Sequence, residues 1–335
     1  MKRGRARPER PGYEQRSDLS KTSSTNSIQT SVEDARPGAG LFEQARADMK
    51  SRANAGAIAG LISLVVALFA WPAVAQRPKP KDSYLRNVEL CSGRDHAPLD
   101  ARIDGCTALI DAGQDMTPAG LAIAYNNRGN AYAAKQDYDR AIQDFDRSIE
   151  LNPTYTKPFN NRGVAYFRKR EYDRATDAFD QAIKLNPNYG EAFANRAGVY
   201  LKKNDYAHAA EDYDQAIRLE PNLDGVWNGR CWSRAILGAL QAALEDCNKA
   251  LLSGPVNAAT YDSRGLIYLK TGALGAAIDD YSSALRIDPK LASALYGRGL
   301  ARLKQGDKAG GNADMAAARA IQGGIGDDFT RYGVQ

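Results

Sequence analysis

The sequence predicts an all-α fold, a solenoid of stacked helix–turn–helix hairpins, on three observations. First, residue types recur in phase. Arg stands at 128, 162, 196, 230, 264 and 298, Pro at 153, 187, 221, 255 and 289, and Ala at 141, 175, 209, 243 and 277, each in steps of 34 residues. A fixed period of this length marks a repeat architecture. Second, within each period apolar residues return every three or four positions, the spacing of one helix face. Third, each Pro follows a second helical stretch that it cannot continue.

The elements follow in order. Residues 1–48 are polar and turn-rich, with Arg3, Arg5, Arg7, Arg10 and Arg16 near the start. They read as a disordered basic tail, or as an extension upstream of the true start at Met49. Residues 53–76 carry no charge, follow Lys50 and Arg52, and end in Ala73-Val74-Ala75 before Gln76. A basic start, an apolar stretch and a small-x-small site predict a signal peptide over 49–75, cleaved after Ala75. The alternative is an uncleaved membrane anchor over 55–75, with the basic tail inside. The expected location is therefore periplasmic or secreted, or anchored in the inner membrane if cleavage fails. Residues 84–118 read as a divergent capping hairpin, because Ile103, Cys106 and Ile110 align with Ile142, Phe145 and Ile149.

Two aromatic columns fill the period. Tyr125, Phe159, Phe193, Trp227 and Tyr261 form one; Phe145, Phe179, Tyr213 and Tyr281 form the other, interrupted by Cys247. Small Gly129 and Ala141 let two helix backbones approach, and the aromatics fill the space between hairpins. One hairpin cannot bury its own faces, so neighbours must stack. The period and the positions of Tyr125, Gly129, Tyr132, Ala141, Phe145 and Pro153 resemble the tetratricopeptide (TPR) repeat, in proteins of the bacterial exported type. Five full repeats span 122–291, and a degenerate sixth with a C-terminal cap spans 292–335. The resemblance implies a right-handed superhelical solenoid with the first helix of each repeat on the concave side. The Arg column departs from the family, which has an apolar residue there. These arginines are expected to pair with Asp144, Asp212, Asp246, Asp280 and Asp314 of the second helices. Phe329 and Tyr332 are expected to cover the last hairpin.

The cysteines fall in the same register. Cys231 and Cys247 face each other within the fourth repeat, and Cys91 and Cys106 hold the equivalent places upstream. Of the three possible pairings the register selects Cys91–Cys106 and Cys231–Cys247. Disulfides persist in oxidising compartments, in agreement with export. The alternative is four buried free thiols. No Cys-x-x-Cys or nearby His completes a zinc set, so no metal is expected.

Other chemistry finds little support. The chain has 45 Lys+Arg, 40 Asp+Glu and two His, and part of the basic excess lies upstream of the repeats. That balance does not predict a nucleic-acid surface. No G-x-S-x-G, phosphate-loop or H-E-x-x-H pattern occurs, so neither catalytic residues nor a cofactor are expected. The resemblance implies a protein–protein interaction scaffold that binds an extended peptide or partner protein in its concave groove. It further places Asn127, Asn161 and Asn195 on that face, with Asn126, Asn160, Asn130 and Trp232 beside them. An amide ladder both donates to and accepts from a peptide backbone, and an exposed Trp is a typical interface anchor. Two alternatives are a membrane-tethered assembly factor, with 55–75 uncleaved, and a TPR accessory subunit of an enzyme such as a glycosyltransferase.

Overall fold

The computed structural model describes residues 80–113, 116–254 and 257–334. The predicted tail at 1–48 and the signal or anchor at 49–75, with Ala73, Ala75 and Gln76, lie outside them. None of the described helices is long and apolar enough to cross a membrane.

Fifteen α-helices and no strand occur among the described residues. They are α1 Pro80–Ser92, α2 Leu99–Asp111, α3 Pro118–Ala134, α4 Tyr138–Leu151, α5 Thr156–Arg168, α6 Tyr172–Leu185, α7 Gly190–Lys202 and α8 Tyr206–Leu219. Then come α9 Val226–Ile236, α10 Leu240–Ser253, α11 Ala258–Lys270, α12 Leu274–Ile287, α13 Ala292–Gln305, α14 Lys308–Ile321 and α15 Ile325–Arg331. Pairs α1/α2 to α13/α14 are hairpins 0 to 6. Each hairpin packs on the next through both of its helices. Successive first helices also touch one another, whereas contacts between successive second helices are at most marginal. The stack therefore curves with α3, α5, α7, α9, α11 and α13 on its inner face.

Local chemistry sets the helix ends. Asp137, Asp205 and Asp307 accept the backbone N–H three residues on, and so cap α4, α8 and α14. Asn152, Asn186 and Asp288 receive the N–H two residues on, folding the chain around Pro153, Pro187 and Pro289 where α4, α6 and α12 stop. Every turn inside hairpins 1 to 6 places one residue at positive φ: Gln136, Arg170 and Asn204, then Gly238, Gly272 and Gly306. Only the last three use the residue that takes this conformation without strain.

The arginine column joins three helices at each step. Arg196 Nε and Nη2 grip Asp212 of its own hairpin at 2.7 Å each, while Nη1 reaches Asp180 of the preceding hairpin at 2.6 Å. Arg128, Arg230, Arg264 and Arg298 hold Asp144, Asp246, Asp280 and Asp314 in the same two-pronged way. Their third nitrogens reach back to Thr107, Asp214, Asn248 and Ser282. The expected pairings to Asp144, Asp212, Asp246, Asp280 and Asp314 are present, and the backward contact adds a link between hairpins. The rings of the first aromatic column lie beside the guanidinium carbons, from 5.0 Å (Trp227 to Arg230) to 5.8 Å (Tyr261 to Arg264).

Two disulfides close single hairpins. Cys91–Cys106 joins α1 to α2, and Cys231–Cys247 joins α9 to α10 where the second aromatic column lapses. All four sulfur-bearing residues are buried.

Hairpin 2 lacks half of its clamp. Arg162 reaches Asp146 behind it, but the buried Ala178 stands where other repeats carry Asp, and Arg162 Nε has no partner. Ala178→Asp is therefore expected to raise stability by about 1 kcal/mol, although a buried Asp elsewhere would lower it. Denaturant midpoints of the two proteins decide the sign, and a lower midpoint in the variant contradicts this account of the clamp.

Candidate functional site

The inner face is built from one strip of each first helix, and its N-terminal half is polar. Asn161 Nδ2 donates to Asn126 Oδ1 at 2.9 Å, and Asn195 Nδ2 donates to Asn160 Oδ1 at 3.0 Å. Each bond spans two successive inner helices. Asn126, Asn127, Asn160 and Asn195 are buried, whereas Asn130 and Asn161 keep partial exposure. These asparagines tie helix to helix. Side chains on the inside of a tight curve meet the next inner helix before they meet solvent.

The ladder stops after hairpin 3 for a steric reason. At Gly229 a Cβ would lie 2.3 Å from Tyr213 Cζ, and at Gly297 a Cβ would lie 2.3 Å from Tyr281 Cζ. Where the second aromatic column holds Phe145 or Phe179, the facing residue is Asn161 or Asn195; where it holds Tyr213 or Tyr281, the facing residue is glycine. The added phenol oxygen takes the space of the amide.

The C-terminal half of the face is aromatic and holds the end of the chain. After α14 the chain turns at residues 322–324, forms α15, and returns along the inner side. Phe329 packs on Tyr296 of hairpin 6, ring centres 4.9 Å apart. Tyr332 goes further than a cap of the last hairpin. Its ring meets Trp232 of hairpin 4 edge-on at 5.0 Å. Lys270 Nζ, from hairpin 5, donates to the Tyr332 carbonyl and to the Ala235 carbonyl at 2.8 Å each. Burial holds the Lys270 pKa below its ordinary value. Trp232, predicted to be an exposed anchor, is thus partly covered by this chain's own terminus.

Asp262 lies in the column that holds Asn126, Asn160, Ala194, Asn228 and Tyr296, where it is the one charged residue, a break that a register reading can find. Its carboxyl is buried and accepts from Ser293 Oγ at 2.7 Å. Burial pushes its pKa up to about 7, against the lowering effect of that hydrogen bond. Beside it the buried Tyr281 hydroxyl has no hydrogen-bond partner, and the Asp262 charge adds to the rise in pKa of Tyr281 and Tyr332. No group of three or more metal-ligating side chains occurs among the described residues. His208 is exposed on α8, and a bond from Nδ1 to Asp205 Oδ2 at 2.7 Å raises its pKa.

A buried carboxyl with a raised pKa favours the folded state while protonated. Stability is full below the unfolded pKa near 4 and declines as pH rises towards 7. Asp262→Asn places there the amide found at Asn126, Asn160 and Asn228. Its stability gain over the wild type is expected to grow from nearly nothing at pH 4 to on the order of 2 kcal/mol at pH 8. Thermal unfolding of both proteins across that range checks this, and a gain independent of pH contradicts it.

Comparison with known proteins bears on this architecture. The tetratricopeptide repeat pattern matches residues 122–155, 157–189 and 190–223, and a TPR repeat pattern matches 265–306. The unmatched stretch between them holds the disulfide-closed hairpin 4. A tetratricopeptide repeat protein from Parabacteroides merdae superposes with a TM-score of 0.55 at 17% identity, covering 75% of this chain and 99% of that one. A chain of the APC/C hetero-tetramer Cut9-Hcn1 gives a TM-score of 0.58 at 17% identity, covering 74% of this chain and 48% of that one. Both likenesses concern the fold. No curated protein matches the sequence at a significant level. With the 34-residue period, the paired helices and these matched segments, the chain belongs to the tetratricopeptide-repeat family.

Proposed function

We propose that this protein is a non-catalytic scaffold that holds an extended segment of a partner protein against the inner face of the stack. The observation that carries this reading is the treatment of residue Tyr332. Trp232 and Lys270, from two successive inner helices, take up its ring and its main-chain carbonyl. A face that recognises an aromatic ring and a backbone carbonyl on a segment outside the repeats has the chemistry of a peptide site. Asn130 and Asn161 extend the same face with partly exposed amides. The working compartment in this proposal is the periplasm or the extracellular space, reached by cleavage after Ala75. The two buried disulfides support it, since such bonds endure where thiols are not kept reduced.

Photo-crosslinking in extracts of exported proteins, under non-reducing conditions, tests this reading. The partner crosslinked to the wild type is identified by mass, then titrated against wild type and Trp232→Ala. The variant is expected to keep its helical circular dichroism and lose affinity about tenfold or more, as for a central aromatic anchor. Equal affinity in both proteins contradicts a role for the inner face.

A further inference from the structure

We infer that residues 325–334 are an internal ligand of the inner face, and that the external partner displaces them with a segment bearing two aromatic residues three positions apart. This inference rests on the scaffold reading and adds the identity of what competes for the site.

Four observations lead there. The segment contacts hairpins that a terminal cap has no need to reach: Phe329 lies on Tyr296 of hairpin 6, but Tyr332 meets Trp232 two hairpins earlier. Ile325, Phe329 and Val334 are buried, but Tyr332 is held as a ligand residue is, its ring edge on Trp232 and its main-chain carbonyl on Lys270. Its link to α14 contains Gly323 and Gly324, neither at positive φ and neither with an atom within 4 Å of where a Cβ would stand. Neither packing nor backbone geometry requires glycine at these places, and a glycine pair makes a free hinge. Finally, the closed arrangement leaves polar groups poorly served. Beneath the segment the Tyr281 hydroxyl is unpartnered, and the Asp262 carboxyl is buried with the Ser293 hydroxyl as its hydrogen-bond donor. A partner with a suitably placed donor or acceptor improves on that arrangement.

The occupant's chemistry is read from the segment now in place. Phe329 and Tyr332 are three residues apart on one helical turn, with ring centres 5.8 Å from each other. A partner helix end or turn that presents the same pair enters the same two places, one against Tyr296 and one against Trp232. Because the internal segment is tethered, it acts at a high effective concentration and lowers the fraction of open face.

The test uses a fluorescent peptide with the sequence of residues 322–335, and a control peptide with both aromatics replaced by Ala. Anisotropy measures their binding to wild type, to Tyr332→Ala and to a chain ending at Gln322. Tyr332→Ala loosens the segment while Phe329 still covers hairpin 6, so it serves if the shortened chain does not fold. The inference expects the peptide to bind both altered chains about tenfold or more tighter than wild type. It also expects the control peptide to bind none of them, and Trp232→Ala combined with Tyr332→Ala to remove binding. Equal affinity for wild type and Tyr332→Ala, or no binding to any folded variant, overturns it. If the peptide fails while partner capture still depends on Trp232, the displacement idea alone falls and the scaffold reading stands. If capture is indifferent to Trp232, the scaffold reading falls with it.

Discussion

A guanidinium shared among three helices, found in five of the hairpins, sets the geometry from which the rest of this solenoid follows. Hydrophobic contact between stacked hairpins is strong but tolerant of sliding. An arginine that grips one carboxylate with two nitrogens and a second helix with the third is not tolerant. The carboxylates it grips within the hairpin are buried, Asp246 at 2% exposure, so a displaced arm would leave a charge without its partner. The aromatic ring beside the guanidinium of Arg128, Arg162, Arg196, Arg230 and Arg264 narrows the choice of rotamer further. The clamp therefore fixes how far and at what angle each hairpin sits on the one before it. That angle decides which side chains face inward.

The two disulfides are intelligible against this frame. Hairpin 4 has Cys247 in the column of Phe145, Phe179, Tyr213 and Tyr281, and the bond to Cys231 ties together the helices that a ring there holds apart and fills between. Hairpin 0, the first described hairpin, has no family-like aromatic in its second helix, and it carries the equivalent bond. Closing a loop of about this size restricts the unfolded chain by roughly 3 kcal/mol in the chain-entropy account. Both ends of the described stack, and hairpin 4, are thus reinforced by other means than the common packing. At the C-terminus the reinforcement is α15, with Ile325 and Phe329 buried against hairpin 6.

Much of this was legible in the sequence because a strict period converts residue number into position. The Pro column marks the ends of second helices, and the Arg and Asp columns sixteen residues apart give the pairing inside a hairpin. The cysteine register gives both disulfides. The backward reach of the arginines, to Asp146, Asp180 or Asp214 in three cases and to Thr107, Asn248 or Ser282 in the others, is harder to see, because it depends on how hairpins stack and not on any one of them. The asparagine columns are legible too, but the burial of Asn126 and Asn160 between inner helices is not, since the curvature that buries them is a property of the whole stack. The return of Tyr332 to Trp232 had no register to announce it, because residues after 321 lie beyond the periodic pattern.

The face that results has two halves, amides tied to amides in front and aromatic rings behind, and the second half already holds a piece of chain. Its shape depends on the clamps holding adjacent hairpins at a fixed angle. A double-mutant cycle between Arg196 and Asp180, which belong to different hairpins, tests that dependence most directly. Arg196→Met, Asp180→Ala and the pair are unfolded in denaturant beside the wild type. The clamp account predicts a coupling of about 1 kcal/mol between the two sites. Additive effects, within about 0.3 kcal/mol, would mean that the arginine serves its own hairpin only and that packing alone sets the curve.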